Sequence, residues 1–152
     1  MNAIEQFWLE ARASRSDLPE TVPEAWAFGA TREHANELLE LVLQGTKTGT
    51  ASTFWEYEEL GDPLPEAGEY SIILDGDGQP RAVIETTQVT IVPFNEVTPE
   101  HARAEGEGDR TLEHWRSSHE QFWRSYSESS REFEATMPIV CERFELRFAT
   151  HN

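Results

Sequence analysis

Apolar residues near the start of the chain recur at helical spacing. Ile4, Phe7, Trp8 and Ala11 mark one face and predict a helix over 2–14. A second stripe, Ala35, Leu38, Leu39 and Val42, follows the i, i+3, i+4, i+7 pattern. Thr31 is placed to cap its start and Gly45 its end, so a helix is expected from about 31 to 44. Between these helices, Leu18 to Gly29 holds Pro19, Pro23, Trp26 and Phe28 and reads as an ordered loop laid over a core. Past Gly45 the chain becomes rich in threonine and aromatics through TKTGTASTFWEYEEL, which suggests a loop entering a strand. After the turn-rich GDPLPEAG, residues 70–94 read as two strands joined by a tight turn at Asp75–Gly78.

The second half repeats the same logic. Thr98 caps and Pro99 opens a short helix, which Gly106 and Gly108 stop. From Thr111 to Tyr126, residues Leu112, Trp115, His119, Phe122, Trp123 and Tyr126 form one stripe and predict a longer helix. IVCERFELRF near the end reads as a strand. Strands and helices do not alternate as βαβ units, so the expected class is α+β with a mostly antiparallel sheet, of a kind that can close into a barrel.

Composition narrows the function. At 152 residues with 38% hydrophobic content and five tryptophans, the chain suits one folded core. No stretch approaches the roughly 20 apolar residues of a membrane span and no leader pattern is seen, so a soluble, cytoplasmic protein is expected. The formal net charge of −17 disfavours a broad face for RNA, whose binding rests on neutralising phosphates, yet it leaves room for a cleft that admits one nucleoside. Cys141 is the only cysteine; no intrachain disulfide is possible, and a packing thiol is expected there. His114 and His119 are five apart on their helix and do not share a face, and HExxH is absent, so neither metal nor cofactor is expected.

The densest chemistry lies in Gly45-Thr46-Lys47-Thr48-Gly49-Thr50-Ala51-Ser52, one lysine among four hydroxyls and two glycines just after a helix. The order is not that of a phosphate-binding P-loop. Two readings stand: a lysine answering the negative end of the helix, or a ligand site approached closely through the glycines.

GTKTGTAS resembles the GxKxxT signature of the ASCH domain, a relative of the PUA fold. AWAFG, ASTFWEYEE, AVIETTQVTIVPFNEV, HARAEGEGDRTLEHWRSSHEQFW and MPIVCERFEL are similar to segments of its longer bacterial members. The resemblance implies a PUA-like small β-barrel with flanking helices, one ASCH domain over 1–152, with residues 1–30 packed on it as helix and loop. Some short members are amidohydrolases of N4-acylated cytidine that use a lysine, a threonine and a glutamate, which fall here on Lys47, Thr50 and Glu105. Where those members carry an arginine two residues after the threonine, this chain has Ser52. Trp55 and Tyr57 are candidates to stack a base, and Glu85 to face the same cleft. Thr50 would be the nucleophile and Lys47 its base; Glu105 would hold the lysine or pass a proton to the leaving amine. The expected substrate is a small nucleoside. The alternatives are a metal-assisted ribonuclease or RNA-binding ASCH module, and a ligand sensor without turnover.

Overall fold

The computed structural model describes residues 1–150. Five helices and five strands occur among them: α1 (Ala3–Ser14), β1 (Ala25–Trp26), α2 (Arg32–Leu43), β2 (Gly49–Thr53), α3 (Phe54–Leu60), β3 (Tyr70–Leu74), β4 (Pro80–Pro93), α4 (Pro99–Glu105), α5 (Leu112–Tyr126) and β5 (Pro138–Ala149). One sheet runs in the order β1-β3-β4-β5-β2. Only the β1–β3 pair is parallel. The class is α+β, as the patterning predicts. No ladder joins β1 to β2 among the described residues, so the expected closed barrel is instead an open sheet.

The long strands β4 and β5 form the spine. Their ladder extends from Ala82–Ala149 to Pro93–Pro138. Register shifts between Val83 and Ile84, and between Thr86 and Gln88, let the ladder bend so that each end meets different helices. One end packs Ile72 and Val83 on Phe7, Trp8 and Ala11 of α1. Another cluster sets Ile73, Ile84 and Phe144 against Leu38, Leu39 and Val42 of α2, with Phe28 between. The opposite face carries Trp55, Phe94, Trp115, Trp123, Met137, Ile139 and Cys141.

Helix starts follow the sequence closely. Thr31, Thr98 and Thr111 each accept a hydrogen bond from the backbone N–H three residues on. One expectation fails: FWEYEEL is not a strand but α3. Thr53 accepts from Glu56 N, and Gly61 ends the helix at φ 72°. Tyr126, expected in the buried stripe of α5, is 52% exposed. Cys141 packs in the core, and burial pushes its thiol up to about 12, which leaves no nucleophile there. No described helix is long and apolar enough to cross a membrane.

Candidate active site

Lys47 leaves the end of α2 through a backbone reversal. Gly45 N donates to Val42 O (3.0 Å), and Thr46 N and Lys47 N both donate to Leu41 O (2.9 and 3.0 Å). Thr48 N then donates to Ala104 O at 2.6 Å, tying the segment to α4 before β2 begins. The close contact depends on Gly106, whose φ is +74°. A Cβ there would lie 2.5 Å from Thr46 O, so any other residue would push α4 off the lysine segment. Gly49 likewise approaches protein rather than ligand: a Cβ on it would meet Glu142 O at 3.0 Å.

This docking buries a charge pair. Lys47 and Glu105 are 2% and 1% exposed. Lys47 Nζ lies 3.6 Å from Glu105 Oε1, donates to Glu107 Oε2 at 3.1 Å and to Glu105 O at 3.4 Å, and sits 5.3 Å from the Phe28 ring centroid. Its charge is therefore not spent on the end of α2; it is met by α4 and the turn that follows. Lysine and glutamate are almost never this buried unless paired.

Glu105 is held from every side. His101 Nε2 and Trp115 Nε1 approach Oε2 at 2.7 and 2.6 Å, and His119 Nε2 approaches Oε1 at 3.2 Å. Arg143 Nε–H points at His101 Nδ1 (3.5 Å), which leaves His101 Nε2 to donate to the carboxylate. His119 Nδ1 faces Trp115 O at 2.8 Å. Both ring nitrogens of His119 thus face acceptors, the arrangement an imidazolium satisfies. Burial works against charge on Glu105, but the charges of His119 and Lys47 and the hydrogen bonds outweigh it, and its carboxyl is held well below the usual range. For His119 burial likewise opposes the charged form, the Glu105 carboxylate overrides it, and the net direction is up. A carboxylate so fully supplied with donors is a fixed anion. It can hold Lys47, but it is a poor proton donor to a leaving group.

Beside this cluster lies a cavity of ≈ 130 Å³. Lys47, Thr50, Glu105 and Glu107 supply its polar wall, and Phe28, Leu38, Phe122, Trp123 and His119 its apolar and aromatic one. A cavity of about 150 Å³ accommodates benzene, so this one suits a single ring, with larger parts of a ligand toward the mouth. The three expected catalytic residues all line it.

The expected substrate contacts do not. Trp55 is buried in the core beneath β5, with the Arg131 guanidinium 4.8 Å from its ring, and has no face left for a base. Ser52 Oγ donates to Tyr57 Oη at 3.1 Å, outside the cavity lining. Glu85 is paired with Arg147 at 2.9 Å, also away from the cavity. Sequence reasoning missed Glu107 and the His101–Trp115–His119 clamp. His101 and Glu105 are an i, i+4 pair on α4, a signal that was available; the contacts from α5 had none.

The ASCH domain family profile matches residues 24–147. The chain belongs to the ASCH domain family. A solved protein of Enterococcus faecalis V583 is 38% identical over 95% of this chain and 87% of its own, with a TM-score of 0.86. An ASCH domain from Lactobacillus crispatus JV V101 is 30% identical over 96% of this chain and 95% of its own, with a TM-score of 0.85. No curated protein matches the chain. In this ASCH chain the signature lysine is the buried cation of the site, and the signature threonine is the second residue of β2, in the cavity wall.

Could this ASCH site hold a metal? Glu105, Glu107 and His119 offer three ligand atoms within 4.8 Å of one another. The Lys47 ammonium stands among them, and His119 faces Glu105 as a donor. A divalent ion would have to displace the first and deprotonate the second, so the arrangement fits a protein cation better than a metal.

Proposed function

We propose that this ASCH domain hydrolyses an amide on a single modified nucleobase, with N4-acylated cytidine as the substrate class. The observation that carries the reading is the buried Lys47–Glu105 pair opening, together with Thr50, onto a ring-sized cavity with aromatic walls. Thr50 Oγ1 attacks the acyl carbon, the C–N bond to the base breaks, and water then releases the acyl group from Thr50. Lys47 takes the Thr50 proton. An ammonium cannot accept one, so Lys47 first passes a proton to Glu107, 3.1 Å away. A substrate that expels water from the cavity favours the neutral amine and acid over two buried charges, which promotes that transfer. Glu105 is the fixed anion that positions Lys47.

The test is incubation of the purified protein with N4-acetylcytidine, following cytidine and acetate by chromatography, beside a labelled single-stranded RNA. Release of both products without RNA cleavage is expected. An unchanged nucleoside with cleaved RNA would overturn the reading in favour of a ribonuclease. For that second reading the Glu105–Glu107–His119 set would have to shed the Lys47 ammonium to hold an ion, and manganese added to the RNA arm tests it directly.

A further inference from the structure

We propose that His34 is a specificity residue of this site and binds the ribose of the substrate, so that the domain prefers a nucleoside to the bare base; this rests on the amide-hydrolysis reading above. The cavity has a buried end and an open one. Lys47 and Glu105, 2% and 1% exposed, close the first. Exposed Gly29 and half-buried His34 and Phe122 mark the second. Phe28 spans the two: its ring centroid lies 5.3 Å from Lys47 Nζ, and Gly29 is the next residue in the chain.

Pyrimidine chemistry fixes which part of the ligand reaches each end. The reacting nitrogen is attached to C4 and the sugar to N1, directly across the ring. With the acyl group beside Lys47 and Thr50, the sugar emerges on the opposite side, at the mouth. A cavity of ≈ 130 Å³ has room for the ring but not for the ribose as well, which therefore meets the mouth residues.

His34 is built for that contact. Its backbone N–H donates to Thr31 Oγ1 at 3.1 Å in the first turn of α2, which fixes the residue on its helix. The Nδ1–Cγ edge of its ring rests on Gly29, where a Cβ would lie 2.6 Å from Nδ1; that contact and a φ of +76° both call for glycine. The ring also meets Phe122 edge to face, with centroids 5.9 Å apart. Nε2 lies on the ring corner opposite Gly29, and among the described residues the imidazole has no hydrogen bond to protein; the one bond His34 makes is through its backbone. Other polar groups of the lining are committed. Ser118 Oγ donates to Trp115 O at 3.3 Å, His119 is held between Glu105 and Trp115 O, and Lys47 donates to Glu105 O and Glu107. An imidazole already fixed by packing, with a nitrogen unspent, pairs with a ribose hydroxyl at little cost in side-chain ordering.

Calorimetry with cytidine and 1-methylcytosine, which share the base and differ in the sugar, tests the inference without turnover. The wild type should bind cytidine about 10-fold more tightly. His34→Phe keeps a ring against Gly29 and Phe122 but offers no hydrogen bond. It should weaken cytidine by about 3- to 10-fold and leave 1-methylcytosine within about twofold, which also shows the cavity intact. His34→Gln, able to donate and accept, should recover part of the preference. A wild type that binds the two compounds alike, or neither, would overturn the role of His34. So would a His34→Phe protein that weakens both equally or neither, or a His34→Gln protein no better than His34→Phe. The amide reading is decided separately, by turnover of N4-acetylcytidine: a wild type that prefers cytidine but turns over no amide would remove that reading and leave the ribose contact in place.

Discussion

Replacing Glu105 by glutamine removes the charge on which four donors converge. Lys47, His101, Trp115 and His119 each direct a nitrogen at its two oxygens, between 2.6 and 3.6 Å. An amide keeps one acceptor oxygen and turns an NH₂ toward the other donors. Lys47 retains Glu107, but His119 loses the carboxylate it pairs with. Breaking a buried ion pair by removing one partner costs about 3–5 kcal/mol, a large share of the roughly 5–15 kcal/mol that holds a domain together. The melting temperature should fall by roughly 10 °C.

The same site sets a pH window. Glu105 is depressed when folded, so its contribution is full above its ordinary value of 4.5 and is lost as pH falls through the lower folded value. His119 is raised when folded, so its contribution is full below 6.5 and is lost as pH rises through its higher folded value. The wild type should therefore exceed Glu105→Gln by most near pH 5.5, and the gap should narrow on both sides. Urea unfolding at several pH values, with m unchanged between the two proteins, measures it. A gap under about 1 kcal/mol at pH 5.5, or one flat from acid to alkali, would refute the reasoning.

Thr50→Ala should abolish amide turnover while the cavity still binds cytidine, which calorimetry can follow, since only a hydroxyl and a methyl are lost. Lys47→Arg should lower kcat by about 100-fold or more, because arginine keeps the charge but gives up no proton near neutral pH; near wild-type turnover would reduce Lys47 to a source of positive charge. Turnover of the nucleoside should change little between 50 and 200 mM salt, whereas an RNA substrate would show a log–log slope near one per phosphate neutralised. A steep salt slope for the nucleoside would show that a charged group is recognised.

Much of the fold was legible because its signals are local. Thr31, Thr98 and Thr111 cap helices within one turn of themselves, and Asp75 builds its turn by accepting from Asp77 N and Gln79 N. The misreading of α3 came from weighting the aromatic and threonine content of FWEYEEL over its ends. Thr53 and Glu56 have the spacing of a capping box, and Gly61 the place of a helix stop. The open sheet was harder, since closure depends on whether β1 and β2 meet, and β1 is two residues long. Lys47, Thr50 and Glu105 could be named because a motif carries them. Trp55 and Glu85 could not be placed: a tryptophan on a helix and a glutamate on a strand each have two faces, and only the partners decide between them.

The placement of those partners explains why this site can tolerate two buried cations and two carboxylates. Unpaired, each charge would cost several kcal/mol, yet Lys47 and His119 against Glu105 and Glu107 leave the cluster near neutral. A neutral cluster within a chain of net charge −17 neither draws in an anion nor offsets the repulsion a polyphosphate meets on approach. An uncharged, ring-shaped ligand avoids both penalties and gains burial against Phe28, Phe122 and Trp123.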